Sequence, residues 1–257
     1  MVYEHKKKLN VLNLFSAVRR MTSPIVIGDC TLHLGDCLEI MPTIGEVDAV
    51  VTDPPYGIGF KYEMYDDSSD NYPEMMRAAV GICLDLCDGP QFWFQGMPQA
   101  SRWHEWFPKD FRQMAACKTF VQIRKGRVQW AHDPVIFWEG TGVVDETLRD
   151  WIVAGPEWQL GKNDHPCPRP LSHMLRLTGA VSGTILDPFM GSGTTGVACS
   201  KLGRKFIGIE IVPAYFDIAC ERIEDAYRQR DLFIEPPKKP KQLGMLGDEE
   251  QYLKRND

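Results

Sequence analysis

Two stretches of the amino-acid sequence predict an α/β fold. Residues 184–186 are a short apolar run leading into Asp187-Pro188-Phe189-Met190-Gly191-Ser192-Gly193-Thr194-Thr195. A helix-like stretch then ends at Gly203, and a second apolar run, 205–209, ends in Glu210. Strand, glycine-rich turn, helix, strand and acid form the nucleotide-binding half of a Rossmann-like fold. Upstream, the apolar run 47–52 reads as a buried strand delivering Asp53-Pro54-Pro55-Tyr56 at its C-terminal end. That edge of an open α/β sheet is where ligands bind. The expected architecture is a Rossmann-like, mostly parallel sheet with an antiparallel edge and helices on both faces.

Taken in order, residues 1–22 read as an extension outside the core. Lys6, Lys7, Lys8, Arg19 and Arg20 face a single acid there, Glu4. The runs 25–27 and 31–34 flank Gly28-Asp29, a hairpin signal, and 37–41 reads as a short helix. Pro73 opens a helix in which Met76, Ala79, Val80, Cys83 and Cys87 recur at helical spacing. Gly89-Pro90 stops it, and 91–94 and 135–138 read as strands. The stretch 97–130 carries seven basic residues against two acids, interleaved with Trp103, Trp106, Phe107, Phe111 and Phe120. Basic residues among aromatics suit a nucleic-acid surface; a solvated helix and edge strand with the aromatics in the core explain them equally well. Residues 141–164 have no clear periodicity. A helix over 171–178 precedes the glycine-rich unit. Pro213 opens another helix, with Phe216, Ala219, Cys220, Ile223 and Tyr227 on one stripe. Beyond Phe233 the Pro- and charge-rich chain predicts a disordered tail.

The 257 residues are 44% hydrophobic and 25% charged, enough for one large α/β domain or two small ones, with a sizeable core. No apolar run is long enough for a membrane span, and the start lacks the pattern of a secretory signal. Eight cysteines show no C-x-x-C pairing, so reduced thiols and a cytoplasmic protein are expected, with no metal. A net charge of −6 argues against general polyanion binding but leaves room for a local basic cleft.

Proline fixes φ and lacks an N–H, so 53–56 is a stiff loop. Its acid, its carbonyls and its ring suit a flat group bearing an NH₂. In the second site, Gly191 and Gly193 admit close backbone approach, and a helix N-terminus offers N–H groups to an anionic ligand. Glu210 lies near the spacing of an acid on ribose hydroxyls. Thr194 stands where a P-loop needs lysine, and the Asp-Pro-Phe opening does not fit a dinucleotide fingerprint. S-adenosylmethionine, a ribose with a small zwitterionic tail, fits better.

Asp-Pro-Pro-Tyr together with Asp-Pro-Phe-x-Gly-Ser-Gly-Thr-Thr resembles the amino-methylating (N6-adenine and N4-cytosine) DNA methyltransferases. The catalytic loop precedes the cofactor loop, at 53 against 187, as in the beta group, a circular permutation of the usual methyltransferase. Leu34-Gly35-Asp36-Cys37 resembles the family's strand-end acid near the cofactor adenine. His165-Pro166-Cys167-Pro168-Arg169-Pro170 resembles its His-Pro-Thr-Gln-Lys-Pro segment, with Arg169 for the usual lysine. Residues 206–210 are similar to its ribose-binding strand. The resemblance spans roughly residues 25–228 and implies a methyltransferase domain over 23–232. Its catalytic half would be 23–138, a short recognition insert about 140–164, and its cofactor half 165–232, before a tail at 233–257.

The resemblance implies catalytic roles for Asp53, Pro54, Pro55 and Tyr56. It places Asp36, Asp187, Phe189, Gly191, Ser192, Gly193, Thr194 and Glu210 at S-adenosylmethionine, and brings His165 and Arg169 near cofactor or substrate. Arg102, Lys109, Arg112, Arg124, Lys125 and Arg127 are the candidate contacts to double-stranded DNA. Asp53 and the Pro54 carbonyl would accept from an exocyclic base amine, and Tyr56 would stack on a base flipped from the duplex. A loop headed by Asp resembles adenine-N6 enzymes more than cytosine-N4 enzymes, which often carry Ser. Cytosine N4 is the alternative; methylation of RNA or a protein amide and a catalytically idle nucleotide- or DNA-binding module stand further off. A homodimer and a cognate restriction enzyme are compatible partners.

Overall fold

The structure is a computed structural model that describes residues 23–57, 71–118, 131–142, 144–145, 147–154 and 169–233. The N-terminal extension, the tail, the stretch after Gly57, Phe120, Arg124, Lys125, Arg127 and the segment from His165 to Pro168 lie outside the described residues.

Successive side chains of a strand point to opposite faces of its sheet, and in the central strands both sets are apolar. In β3 (Ala49–Thr52) Val51 packs on one face and Val50 on the other. In β4 (Gln91–Phe94) Phe92 and Phe94 oppose Trp93, and in β8 (Thr184–Asp187) Ile185 opposes Leu186. Strands buried on both faces need helices on both. One face is covered by α1 (Cys37–Ile40), α2 (Tyr72–Leu86) and α3 (Trp103–Trp106), through Cys37, Met76, Val80, Cys83 and Trp106. The other is covered by α4 (Leu171–Gly179), α5 (Thr194–Leu202) and α6 (Pro213–Phe233), through Leu177, Val197, Cys199, Phe216 and Ile223.

The remaining strands are β1 (Ile25–Ile27), β2 (Cys30–Leu34), β5 (Arg112–Lys118), β6 (His132–Trp138), β7 (Trp151–Ala154) and β9 (Lys205–Glu210). Among the described residues they join one sheet in the order β1-β2-β9-β8-β3-β4-β6-β5-β7. From β2 to β4 every neighbouring pair is parallel. β1 folds back on β2 as the expected hairpin, and β6 runs antiparallel to both β4 and β5. The sheet is thus mostly parallel, with β1 at one edge and β6 near the other running the opposite way.

Two features position the site. The path from β3 through α2 to β4 leads one way along the sheet, and the path from β8 through α5 to β9 leads the other. β3 and β8 are neighbours, so the strand order reverses between them, and a crevice opens at their C-terminal ends. Second, β5 and β6 overrun β4. Beyond Phe94↔Val135 they continue through Ala115↔Pro134, Ala116↔Asp133 and Cys117↔His132, about 10 Å of strand at the usual rise.

Two stretches went differently from the sequence reading. β7 lies within the aperiodic stretch 141–164 and pairs in parallel with β5; part of the expected insert is therefore sheet. The basic–aromatic stretch resolves toward the core reading, because Trp103, Trp106 and Phe107 are each about 95% buried against Tyr72, Trp93 and their neighbours. Its strand, β5, has partners on both sides, so it is not an edge strand.

Candidate active site

Thr52 closes β3 and Asp187 closes β8, on either side of the crevice. The Thr52 hydroxyl donates to Asp187 Oδ1 over 2.7 Å, and the Thr195 hydroxyl donates to Oδ2 over 2.6 Å. The Phe189 N–H also donates to Oδ1, at 3.1 Å. Asp187 is 2% exposed, and burial, only partly offset by these three donors, pushes its pKa up to about 6. The sequence reading placed Asp187 on the cofactor. In the structure its oxygens accept from the Thr52 and Thr195 hydroxyls and the Phe189 N–H, which also makes it a brace that clamps β3 to the glycine-rich turn. Thr52 and Thr195 were missed; only the second threonine of the Thr-Thr pair hinted at this.

The turn leaves β8 and enters α5 through Gly193, whose φ of +80° is left-handed. A Cβ there would lie 2.9 Å from the Ala219 methyl on α6, so close helix approach also selects glycine. At Gly196 a Cβ would lie 2.4 Å from Ile223 Cδ1, the tight packing that a third glycine permits. No side chain caps the first turn of α5. Its leading N–H groups are therefore the free donors that an anionic ligand group can use.

Behind the turn stands Arg222 of α6. Its guanidinium donates to the Ser192 carbonyl at 2.5 Å, the Ser192 hydroxyl at 2.7 Å and the Thr194 hydroxyl at 3.4 Å. Burial lowers its pKa, and among the described residues no carboxylate pairs with it. Half-buried and unneutralised, it adds positive charge to the helix N-terminus. Nothing in the sequence pattern singled it out. It also gives the Ser192 and Thr194 side chains a partner inside the protein.

Glu210 ends β9 beside the turn. Its Oε2 accepts from the Gly191 N–H and its Oε1 from the Val212 N–H, each at 2.8 Å. It is 8% exposed, and burial pushes its pKa up to about 7 against those two donors. On the adjacent strand end, Leu34 pairs with Glu210, and the Gly35 N–H donates to the Glu210 carbonyl at 2.8 Å. Asp36 follows directly, half-buried, with Oδ1 capping α1 at the Leu38 N–H. Two acids on neighbouring strand ends, a glycine turn and a basic helix start are a donor and acceptor set suited to a nucleoside with a zwitterionic tail. Phe189 packs half-buried among the side chains under α2 and α3.

Across the crevice, Asp53, Pro55 and Tyr56 are half-buried and Pro54 is buried. Tyr56 folds back so that its hydroxyl donates to Asp53 Oδ1 at 2.7 Å, and Gly96 packs against its ring. Arg169, from the segment before α4, closes on the pair. Its Nε meets Asp53 Oδ2 at 2.5 Å and its Nη2 meets Oδ1 at 3.0 Å; Nη2 also donates to the Tyr56 hydroxyl. The cation lies 4.8 Å from the Phe94 ring centre and 5.5 Å from that of Tyr56. Nη1 donates to Asp133 on the β6 overhang, where Lys118 Nζ also pairs with Asp133 Oδ2 at 2.8 Å.

Lys118 is thus the basic residue of the 97–130 stretch that the described structure brings to the loop. Arg102, Lys109 and Arg112 are exposed, and among the described residues none of them has a hydrogen bond or ion pair to it. Arg112 begins the strand that Lys118 ends, about 20 Å away along the backbone. Among the described residues no cluster of His, Cys, Asp or Glu could hold a metal ion, and no helix is long and apolar enough to cross a membrane.

Comparison with known proteins agrees with this geometry. The type II methyltransferase M.ScaI of Streptomyces caespitosus is 27% identical over 254 residues, covering 76% of this chain and 82% of that protein. The solved complex of M1.HpyAVI with SAM superposes with a TM-score of 0.62 at 25% identity, covering 76% of this chain and 98% of the other. The cytosine-N4-specific PvuII DNA methyltransferase shares the fold, with a TM-score of 0.65 at 17% identity, covering 82% and 96%. The DNA methylase family model for N6 and N4 enzymes matches residues 47–221, which include both loops, the brace between them and the strand ending in Glu210. The chain therefore belongs to the N6/N4 DNA methylase family and is a DNA methyltransferase.

Proposed function

We infer that this chain methylates the N6 amine of adenine in a nucleotide flipped from duplex DNA. The observation that carries this is the placement of Asp53-Pro54-Pro55-Tyr56 across one crevice from the glycine-rich turn, with Thr52 and Asp187 fixing the distance between them. A loop headed by a carboxylate resembles the adenine enzymes, and that favours N6 over cytosine N4.

The cradle fits S-adenosylmethionine. Glu210 and Asp36 would take the ribose and adenine, and the start of α5 with Arg222 behind it would take the methionine end. When bound, that cofactor supplies an electrophilic methyl group on a sulfonium. The chain's own task is to prepare the amine. An exocyclic amine is a weak nucleophile because its lone pair is delocalised into the ring. Hydrogen bonds from its two N–H groups to Asp53 and the Pro54 carbonyl favour a pyramidal nitrogen with its lone pair aimed outward. As the nitrogen gains positive charge, Asp53 stabilises it and takes the proton. Positioning and fixed charge do the work, without a covalent intermediate. A base cannot be reached inside a duplex, so it must leave the stack, and Tyr56 is the ring it would meet.

The test is labelled methyl transfer from S-adenosylmethionine to duplex DNA and, in parallel, to RNA, followed by digestion and separation of nucleosides. Label in N6-methyldeoxyadenosine is expected. Label in N4-methyldeoxycytidine would replace this reading with its alternative, and label in RNA alone or in neither would refute it. The reading extends to a companion restriction enzyme. In that case, plasmid from a host expressing this chain should resist an endonuclease at the methylated sequence.

A further inference from the structure

We propose that Asp133 is a positioning residue: it gives the Arg169 guanidinium a second seat, so that Asp53 can open to a target amine while the cation stays in the site. This rests on the reading of Asp53 as the amine acceptor. In the structure Asp53 is not open. Arg169 holds both of its oxygens, and Tyr56 donates to Oδ1 as well. An arginine fork matches a carboxylate edge to edge, which a lysine ammonium cannot do. The arginine that stands where the resembled family has lysine therefore makes a tighter closure than lysine would. An amine that is to donate to Asp53 must displace at least one of these N–H bonds.

Expelling Arg169 altogether is the costly route. Its side chain is 12% exposed and lies over the Phe94 ring. Its departure would leave the Asp53 charge uncompensated in a half-buried site. Asp133 supplies the alternative. It already takes Nη1, and it stands on the β6 overhang past the end of β4. Pro170 stiffens the backbone directly after Arg169, and rotation of the side chain is the movement the pivot needs. A pivot of the guanidinium about its contact with Asp133 frees an edge of Asp53 without leaving either charge unpaired. Lys118 sits on the same Asp133 oxygen, which balances the group at two cations and two anions.

The test compares steady-state methyl transfer to duplex DNA by the wild-type chain, D133N, R169K and the double variant, with melting and S-adenosylmethionine binding measured for each. D133N keeps an acceptor for Nη1 but removes the second negative charge, so Asp53 holds the cation more tightly and kcat should fall roughly ten- to hundredfold while cofactor binding is kept. Adding R169K to D133N removes the two-point grip and should recover about tenfold or more of the lost rate, which a merely structural role for Asp133 would not allow. D133S carries the same pair of expectations should asparagine not be accommodated. Wild-type rates in D133N, or a double variant no faster than D133N, would overturn the second seat. A wild-type chain that methylates no DNA would instead refute the activity on which the proposal stands.

Discussion

Asp53 and Glu210 are both acids at the C-terminal ends of parallel strands, and the fold gives them different jobs. Asp53 is half-buried and faces a guanidinium, so it stands ready to exchange one donor for another. Replacement by Ala should lower methyl transfer by at least about 10²-fold while S-adenosylmethionine still binds; radiometric transfer and calorimetry check both halves. Glu210 is buried with a pKa of about 7, and hydroxyl donors favour its charged form. S-adenosylmethionine affinity should therefore rise about tenfold between pH 6 and 8, as the carboxylate goes from mostly protonated to mostly ionised. Titrations across that window should slope for wild type and flatten for Glu210→Gln; a flat wild-type profile would overturn the proposed contact of Glu210 with the ribose. In the free protein the sign is opposite. Asp187 and Glu210 sit at about 6 and 7, above their ordinary 3.8 and 4.5. Their contribution to stability is full below about pH 4 and is lost as pH rises through about 6 to 7.

At the scale of elements, the glycine-rich turn is a joint between three pieces: β8, α5 and α6. Gly193 and Gly196 let α6 approach, and the approach carries Arg222 to the back of the turn. Arg222→Met should keep the packed stem and lose the charge and its hydrogen bonds. A loss of about tenfold or more in S-adenosylmethionine affinity is expected, with little change in melting temperature. Unchanged affinity would mean that Arg222 only fills space. The helices themselves were largely legible. Pro73 and Pro213 mark their starts, and Gly203 ends α5 in a left-handed conformation. Met76, Val80 and Cys83 show the buried stripe directly. β7 was not legible. All four of its residues are apolar, so the alternation of exposed Trp151 and Val153 with buried Ile152 and Ala154 leaves no trace in residue type. Only its pairing with β5 makes it a strand.

At the scale of the molecule, the chain order separates what the sheet joins. β3 belongs to the first half of the chain, yet it lies between β4 and β8; β9 belongs to the second half, yet it lies between β8 and β2. Cutting the chain at about residue 145 would expose central strands on both sides of the break. The two fragments expressed separately should each lack cooperative melting, and circular dichroism should report a folded state only when they are mixed. A first fragment that melts cooperatively alone would show that the catalytic half is an independent domain. This arrangement also explains why the loops could be read in the sequence while their coupling could not. Asp-Pro-Pro-Tyr and the Gly-Ser-Gly turn are continuous strings whose chemistry is written in residue type. The bonds from Thr52 to Asp187 and from Arg169 to Asp53 span 135 and 116 residues.

The sequence by itself determined the α/β class, the two loops, the acids at the strand ends and the chemistry they suit, because stiff prolines, turn glycines and apolar runs act locally. Only the tertiary structure decided that Asp187 clamps β3 to the glycine-rich turn, that Arg222 bonds to that turn from behind, and that Arg169 bonds to both Asp53 and Asp133. The reason is physical. A carboxylate or guanidinium takes its role from its partners and its burial, and those come from strands that meet only when the sheet has formed.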